Sequence, residues 1–525
     1  MIRIRDIQLP PEHNEHQLTY EAARVLKITT SRIRGIRLVR RSVDARKKPD
    51  VKLVYTVDVS VEGNERKLLK ACGSKRASVA PTEYYKVPKA VADGERPVVV
   101  GFGPAGMFAA LVLALAGLKP LVLERGEEAL RRHEKVQKFF ATGELDPKSN
   151  VQFGEGGAGT FSDGKLNTGV NDPRIGWILE QMVKAGARED ILFDAKPHVG
   201  TDVLLEVVQN LRKRIISLGG EVRFGAKVTD LQSCDGRLTG LVLEDGEVIG
   251  CRQAIFAIGH SARDTFGMLL ERQIVLEPKP FSMGVRIEHK QSTIDRAQYG
   301  TDRHALPPAD YKLVRHLEDG TVYTFCMCPG GYVVAAASEE GGTVTNGMSY
   351  ADRDGENANA ALLVTVEPSE FPYEGPLGGM LWQRELEQAA FRVGGYRAPA
   401  QLVGDMMEGR PSTGPGTVLP TYRPGVTWCD LHQVLPEKFT IALKQAIREM
   451  DGSLKGFADP DAVLTAPETR SSSPVRIVRG KDRQGSLEGF YPCGEGAGYA
   501  GGIMSAAIDG MRSAEALIGA SGIHE

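Results

Sequence analysis

Three glycines near residue 100 have the spacing of a phosphate-binding turn. Gly101, Gly103 and Gly106 form the pattern GxGxxG directly after an apolar, β-branched run, and a helix is predicted to begin at Pro104. The first glycine permits a tight turn, the second lets a pyrophosphate approach the backbone, and the third lets the helix pack closely on the strand. The helix N-terminus, at Pro104 and Ala105, would then face the phosphates with its positive dipole end.

An acidic residue follows where a ribose would need one. A second strand is predicted over 120–123 and ends on Glu124, with Arg125 next to it. The Glu124 carboxylate can accept hydrogen bonds from the hydroxyls of an adenosine ribose. The order strand, glycine turn, helix, strand and acid predicts a dinucleotide-binding unit far more specifically than GxGxxG alone.

The C-terminal segment favours FAD over NAD. Residues 487–517 read as a strand, a glycine-rich turn and a helix, and they resemble the segment that closes the FAD site in glutathione-reductase-like flavoproteins. The resemblance implies that Glu495, after Gly494, accepts a ribityl hydroxyl, although the family usually has Asp there. It also implies that the helix N-terminus at Gly501, Gly502 and Ile503 faces the flavin, where its dipole stabilises negative charge on the reduced ring.

Two further segments fit the same class. Residues 220–259 read as an adenine-side strand, a hairpin and a returning strand, which ends at Gly259 in a triplet similar to the family's Ala-Thr-Gly. By that resemblance, the backbone of Val228 pairs with adenine. No second GxGxxG follows, so a dedicated NAD(P)H domain of the disulfide-reductase type is not indicated.

The stretch Gly154–Gly169 holds six glycines in sixteen residues and no proline. We predict that it wraps the pyrophosphate and runs along the flavin ring, where only glycine lets the backbone lie close. Gly157 would make that approach, the hydroxyls of Thr160 and Ser162 could donate to phosphate oxygens, and Lys165 could offset the diphosphate charge or lie near the flavin. A surface loop is the alternative.

Nearly the whole chain resembles the bacterial and plastid FAD-dependent dehydrogenases, a family whose physiological reaction is largely undefined. The resemblance rests on long strings such as "NVQFGEGGAGTFSDGKLNTG", "PFSMGVRIEH", "YTFCMCPGG", "PETRSSSPVRI" and "YPCGEGAGYAGGIMSAAIDG". It implies FAD and a redox role, and it names no substrate.

The weak candidates for catalysis are Cys326, Cys328, Lys165 and His198. The two cysteines are spaced by two on a predicted strand, so their side chains share a face. A redox or metal-binding pair is one interpretation. We favour two small packing residues near the cofactor, because no basic residue within "YTFCMCPGG" could lower a thiol pKa. No metal site is predicted, since no second Cys or His pair has ligand spacing.

Two other segments carry polar side chains that could reach a ligand. Arg470 and Arg476 in "ETRSSSPVRIVR" could hold an anionic substrate or the flavin phosphates, and an ion pair with Glu468 is the structural alternative. His260 is a lone histidine after the returning strand, and His198 precedes a predicted helix N-cap.

The charge distribution divides the chain. Residues 1–90 carry 20 Lys and Arg against 10 Asp and Glu, although the whole chain has a net charge of −2. They read as a strand, a helix and a hairpin with a basic tip, followed by a proline-punctuated linker. Solvated surface is the favoured interpretation of the basic face, with a nucleic-acid patch as the alternative.

The sequence therefore predicts an α/β flavoprotein of 525 residues in three parts. These are a basic α+β N-terminal module (1–90), a Rossmann-like FAD-binding domain of the glutathione-reductase type (91–279 and 462–525), and an inserted α+β substrate domain (280–461). We expect an oxidoreductase acting on a small molecule with a separate electron donor, for which NAD(P)H is a candidate. A flavoprotein acting on RNA and a non-catalytic FAD sensor are the alternatives.

We expect a cytoplasmic location and no membrane partner. No signal peptide is evident, and the seven scattered cysteines are predicted to be reduced thiols. The longest apolar helical stretch, "MFAALVLALAGL", is too short to span a bilayer.

Overall fold

A computed structural model describes residues 1–81, 84–90, 95–303, 305–318 and 320–520. The predicted linker after the N-terminal module falls partly outside these residues, at 82–83 and 91–94. The described residues form an N-terminal domain, a Rossmann-like domain and a cap domain, each built on a sheet of its own.

The N-terminal domain is a four-stranded antiparallel sheet covered by two helices, with strand order β2-β3-β1-β4. Its elements are β1 (Ile2–Leu9), α1 (Glu15–Leu26), β2 (Ile33–Asp44), β3 (Lys52–Val61), α2 (Glu65–Cys72) and β4 (Ala77–Val79). The predicted strand, helix and hairpin are present, whereas α2 and β4 were not predicted. Helix α1 begins at a capping box between Asn14 and Gln17, which satisfies two otherwise free backbone amides.

At least five of the eleven arginines in residues 1–90 pair with nearby carboxylates. The paired residues are Arg3 and Arg37 with Asp58, Arg34 with Glu62, Arg46 with Asp44, and Arg41 with Asp194 of the Rossmann-like domain. The hairpin tip packs against the cap domain, where Lys48 Nζ donates to the Ala297 carbonyl at 2.6 Å and Val51 joins the core. These contacts join the N-terminal domain to the other two domains and use part of its basic residues.

The Rossmann-like domain begins with two of the predicted strands on either side of an apolar helix. Its first part comprises β5 (Val98–Val100), α3 (Pro104–Leu115), β6 (Leu121–Leu123), α4 (Ala129–Thr142), α5 (Arg174–Lys184), α6 (Thr201–Ser217), β7 (Glu221–Arg223), β8 (Val228–Cys234), β9 (Arg237–Leu243), β10 (Val248–Gly250), β11 (Ala254–Phe256), α7 (Arg263–Glu271) and β12 (Leu276–Pro278).

The cap domain follows as a seven-stranded mixed sheet with helices packed against it. Its elements are β13 (Phe281–Lys290), α8 (Gln291–Tyr299), β14 (Val314–Leu317), β15 (Gly320–Cys328), β16 (Tyr332–Ala335), β17 (Thr345–Met348), β18 (Asn357–Val366), α9 (Gly378–Gly394), β19 (Ala398–Leu402), α10 (Val403–Glu408), β20 (Val426–Trp428), α11 (Glu437–Asp451) and β21 (Val463–Glu468). The sheet order is β14-β15-β18-β13-β21-β19-β20, and β16 pairs with β17 separately. Helix α11 buries its apolar face in the core of this domain, so it is not a free lid.

The chain then returns to the Rossmann-like domain. The returning elements are β22 (Val475–Ile477), β23 (Phe490–Pro492) and α12 (Ile503–Ala520). Strand β21 pairs with β13 and β19 of the cap sheet, so the return falls after Glu468 rather than at the expected residue 462. Strands β12 and β22 pair with each other, which joins the two connections between the domains in one short ribbon.

The parallel sheet at the centre of the Rossmann-like domain has the order β23-β11-β5-β6-β7. Helix α3 is buried along ten consecutive residues because α12 and α6 cover the sides that the sheet leaves open. A side chain at Gly510 of α12 would overlap the Ala105 carbonyl, so glycine permits the close crossing of α12 over α3. This is the α/β architecture that the sequence predicts.

None of the helices in the described part of the chain combines the length and hydropathy that a membrane crossing requires.

Candidate functional site

A cavity of about 340 Å³ lies between the Rossmann-like and cap domains, and most of the predicted cofactor-binding residues line it. Those that do are Gly101, Gly103, Pro104, Ala105, Glu124, Arg125, Gly157, Ser162, Lys165, Val228, Gly259, Gly494, Glu495, Gly501, Gly502 and Ile503, together with Cys326. Gly106, Thr160, Cys328 and His198 are not among its lining residues. Segments far apart in sequence thus meet around one space.

The GxGxxG turn connects β5 to α3, and its three glycines serve different purposes. A Cβ at Gly101, which has φ of +95°, would overlap the Ala257 carbonyl, and one at Gly106 would overlap the Gly101 carbonyl. A Cβ at Gly103 would lie 3.6 Å from the Cα of Gly157, which is ordinary contact. The protein itself therefore requires glycine at 101 and 106, whereas Gly103 keeps its face toward the cavity clear.

Glu124, at the end of β6, holds the turn together. Its buried carboxylate accepts backbone N–H bonds from Phe102 at 2.8 Å, Gly126 at 2.8 Å and Gly154 at 3.0 Å. A carboxylate has about four acceptor positions, so the predicted ribose contact can use at most the remainder. Arg125 lies over the Phe153 ring at 4.4 Å and pairs with Asp264, so its guanidinium is already positioned at the cavity wall.

The glycine-rich stretch is held from behind by one buried arginine that sequence reasoning missed. Arg132 of α4 is fully buried and donates to five carbonyls of residues 150–157, which span the start of this stretch. The acceptors are the carbonyls of Asn150 at 2.8 Å, Val151 at 2.9 Å, Gly154 at 3.4 Å, Glu155 at 2.6 Å and Gly157 at 2.9 Å. The carbonyls satisfy the guanidinium donors, and the guanidinium fixes the path of the loop.

The same packing explains several of the glycines in this stretch. A Cβ at Gly154 would overlap the Arg132 side chain, and one at Gly157 would lie 2.9 Å from the Cα of Gly103. Both residues also have positive φ, of +120° and +60° respectively. The backbone therefore lies against the GxGxxG turn and against Arg132, which is a protein-internal reason for glycine in addition to the predicted approach of a ligand.

The three polar residues predicted along this stretch lie in different surroundings. The Thr160 hydroxyl is buried and points to the Glu155 carbonyl at 3.4 Å, away from the cavity. Ser162 lines the cavity while its hydroxyl donates to the Gly159 carbonyl at 2.7 Å. Lys165 also lines the cavity, and its ammonium donates to the Met327 carbonyl of the cap domain.

The C-terminal segment, residues 487–517, is held in place by an acidic residue that the sequence analysis missed. Asp509 of α12 accepts the backbone N–H of Gly494 at 2.8 Å and pairs with Arg479 and Arg483. An aspartate in the mostly apolar first half of α12, IMSAAIDGM, was the available signal. Glu495 lies 3.2 Å from His260 Nδ1, so the predicted ribityl acceptor and the lone histidine are neighbours at the cavity wall.

His198 has a role in joining two domains. Its Nε2 lies 2.9 Å from the Ala351 carbonyl of the cap domain, and burial lowers the pKa of the imidazole. A backbone bridge also links His198 to Lys165.

Arg470 is part of a buried charge network, although its partner differs from the one predicted. Arg470 and Arg263 both donate to the two oxygens of Glu387, at distances of 2.8–3.0 Å. Glu468, the partner considered from sequence, instead pairs with Arg286 at 2.6 and 2.8 Å. Arg263 lies on α7 and Glu387 on α9, so the network crosses the domain boundary beside the cavity.

The residues present fit FAD. Gly103 lines the cavity at the N-terminus of α3 and has no side chain to fill it. The N-terminus of α12 lines the same cavity with Gly501, Gly502 and Ile503. In addition, His260 Nε2 is buried on this wall without a hydrogen-bond partner among the described residues, which is the expected situation of a group awaiting a polar ligand. Within the described ranges, no cluster of His, Cys, Asp and Glu could hold a metal ion.

Comparison with known proteins gives a family. Residues 280–471 match the model of a "FAD-dependent protein, C-terminal domain-like", and residues 1–60 match a domain of unknown function. An uncharacterized protein of Clostridium beijerinckii is 47% identical over 530 residues, with 98% of each chain covered. The menaquinone reductase of Mycolicibacterium smegmatis is 29% identical over 178 residues, which are 33% of this chain and 39% of that protein. The crystal structure of glycine oxidase from Bacillus cereus is 12% identical, covers 82% of this chain and 96% of its own, and gives a TM-score of 0.35.

FAD is thus the cofactor of this protein, as the sequence predicted. The chain belongs to the same family as the Clostridium beijerinckii protein, and its residues 280–471 match the model of a FAD-dependent protein.

Proposed function

We propose that the protein is an FAD-dependent dehydrogenase or reductase whose small-molecule substrate reacts where the cap domain meets the Rossmann-like domain. The observation that carries this proposal is the single cavity lined from both domains. Bound FAD would supply hydride or electron transfer, while the chain binds, orients and electrostatically tunes the reacting groups.

The Rossmann-like side of the cavity would hold the cofactor. Backbone amides at the N-terminus of α3, beside Gly103, would receive the pyrophosphate, and Glu124 would use its remaining acceptor capacity for the adenosine ribose. Glu495 would accept from the ribityl chain. The N-terminus of α12 at Gly502 would stabilise negative charge that develops on the reduced ring.

The cap side of the cavity would face the substrate. Cys326, Asn346 and Glu468 reach the cavity from three cap segments, and Lys165 joins them from the glycine-rich stretch. This wall carries both signs of charge beside the exposed ring of Phe325, which suits a substrate that has a polar group and an apolar part. The electron donor would be a separate molecule, and NAD(P)H is the first to test.

The Gly103→Val substitution tests where the cofactor binds. Protein atoms leave room for a Cβ at this position, so the fold should tolerate the change, whereas the valine methyls would occupy the space that the pyrophosphate needs. We expect the purified variant to retain less than about one tenth of the FAD bound by the wild type. Flavin absorbance of the released cofactor, per chain, is the measurement.

Gly176→Val is the matched control, because Gly176 is exposed on α5 and a Cβ there meets no atom within 4 Å. It should bind FAD as the wild type does. Full FAD retention by Gly103→Val would place the cofactor elsewhere. A wild-type protein that binds FAD but whose flavin neither NAD(P)H nor any metabolite reduces would contradict the oxidoreductase assignment.

A further inference from the structure

Two cysteines stand at the cap side of the cavity with unequal exposure. Cys326 is partly exposed and lines the cavity, whereas Cys328 is completely buried and lies outside its lining. The Cys328 Sγ lies 3.3 Å from the Cys326 carbonyl oxygen, so the buried thiol contacts the backbone of the accessible cysteine. Neither cysteine is in a disulfide. One thiol can therefore reach a ligand in the cavity while the other is shielded from it.

The backbone between them departs from a regular strand. The pairing of β15 with β18 shifts register between Phe325 and Cys328, and Cys326 has a φ of +42°. Residues two apart on a straight strand are separated by about 6.6 Å between Cα atoms, near the upper limit for a disulfide. A bulge bends the strand, so the spacing of a straight strand is an upper bound on the separation of this pair. A left-handed conformation at a non-glycine residue beside a cavity is also a common mark of function.

Positive charge reaches the pair from other segments. Arg286 Nη1 lies 2.9 Å from the Cys326 carbonyl oxygen and 4.0 Å from the Cys328 Sγ, and Lys165 donates to the intervening Met327 carbonyl. The hydrogen bond from the Cys328 thiol, assisted by the charges of Arg286 and Lys165, lowers the pKa of Cys326. The sequence argument against a thiolate considered only residues 323–331, whereas these charges come from residues that lie far from them in the chain.

We infer that Cys326 and Cys328 are a redox-active pair that exchanges two electrons with the bound FAD. In the oxidative direction, the Cys328 S–H bond breaks and a bond forms between the two sulfur atoms. Two electrons and the Cys328 proton pass to oxidised FAD, and the negative charge of the Cys326 thiolate passes with them. The reverse reaction restores the thiolate and the thiol. The inference rests on the proposed function, since FAD is the electron partner.

Reductive titration of the air-oxidised, FAD-loaded protein counts the electrons. With the pair oxidised, the wild type should take up about four electrons per chain from dithionite, two for the flavin and two for the disulfide. Cys326→Ser and Cys328→Ser should each take up about two. Cys234→Ser, which removes an exposed cysteine far from the cavity, should match the wild type. A wild-type uptake of about two electrons would overturn the inference.

Thiol counting needs no variant and no activity. Denaturing alkylation followed by mass spectrometry should find Cys326 and Cys328 blocked by a mutual disulfide after oxidation and free after reduction of the flavin. In the apoprotein, iodoacetamide should modify Cys326 at a lower pH than it modifies free cysteine, because the thiolate is the nucleophile. Both thiols remaining free in the oxidised holoprotein would contradict the pair while leaving FAD binding intact, and failure to bind FAD would contradict the proposed function itself.

Discussion

The two walls of the cavity, one from the Rossmann-like domain and one from the cap domain, differ in the chemical groups that form them. On the Rossmann-like side, glycine backbone and amide groups form the surface, and the determinants lie in short contiguous motifs such as GxGxxG. On the cap side, the side chains of Phe325, Cys326, Asn346 and Glu468 form it, and they come from three different strands. The first wall requires closely packed backbone, whereas the second requires buried charges to find partners across long sequence separations.

The difference predicts how each wall fails. Removing support from a glycine-lined loop lets its backbone move, so the cofactor should be lost together with stability. Removing one member of a buried ion pair leaves an uncompensated charge, which destabilises the fold even where the backbone stays in place. Three substitutions separate these outcomes.

The largest effect is expected at Arg132, which supports the glycine wall. Arg132→Met keeps the aliphatic volume but removes five hydrogen bonds to carbonyls of residues 150–157. Because buried carbonyls would lose their donor, we expect the free energy of unfolding to fall by about 4 kcal/mol or more. FAD content should fall as well. Denaturant unfolding and flavin absorbance measure the two effects.

Arg131→Met is the matched control, because the neighbouring Arg131 side chain is 73% exposed and makes only a surface pair with Glu128 at 3.8 Å. That variant should change stability by less than about 1 kcal/mol. An Arg132→Met protein that is as stable as Arg131→Met and retains its FAD would show that the loop is supported by something else.

A smaller loss of stability is expected at Glu387, which lies behind the cap wall and pairs with the cavity-lining Arg470. Burial alone would raise the pKa of Glu387, but the charges of Arg263 and Arg470 hold it below the usual range. Glu387→Gln would leave both guanidiniums buried with Glu339 as their remaining acid, and we expect a loss of about 3 kcal/mol. Urea denaturation at neutral pH is the measurement, with Glu385→Gln of the same helix as the control. A loss no larger than the control's would mean that the network is screened by water.

The glycine wall is also the part that the sequence predicts well. Motifs of about thirty residues each predict the GxGxxG turn, the acid at Glu124 and the C-terminal turn at Gly494. They are recognisable because strand, turn and helix must follow one another directly in a nucleotide-binding unit. Sixteen of the predicted cofactor residues accordingly line one cavity. What the sequence missed there, Arg132 and Asp509, acts from behind the loops and carries no motif.

The ion pairs on the cap side of the cavity could not be predicted from the sequence, because the paired residues are far apart in the chain. Arg286 and Glu468 are 182 residues apart, and Arg263 and Glu387 are 124 apart. The first pair depends on the neighbouring positions of β13 and β21 in the cap sheet, and the second depends on the contact of α7 with α9. No local sequence pattern encodes either arrangement. For the same reason the basic surroundings of Cys326 could not be seen in "YTFCMCPGG", and Arg470 was assigned to Glu468, its near neighbour in sequence.

The smallest effect is expected at Glu288, a buried carboxylate of β13 that lacks a bidentate arginine. Burial raises its pKa to about 6, opposed in part by hydrogen bonds from Thr421 and Asn357. A raised folded pKa means that the stabilisation is complete below the unfolded value near pH 4.5 and is lost as pH rises through about 6. We expect a loss of about 2 kcal/mol over this window.

Glu288→Gln isolates this term, because the amide does not titrate and can still accept the Thr421 hydroxyl bond, which measures 2.6 Å. The stability of the wild type minus that of the variant should therefore fall between about pH 4 and pH 7, and Glu408→Gln, at an exposed position, should show no such trend. Glu387 should behave oppositely: its depressed pKa gives a stabilisation that is complete above the unfolded value near pH 4.5 and is lost progressively as the pH falls below it. If the stability difference between the wild type and Glu288→Gln instead rises with pH, the Glu288 carboxylate is ionised in the folded protein. The buried charges of β13 would then include Glu288 as well as Arg286.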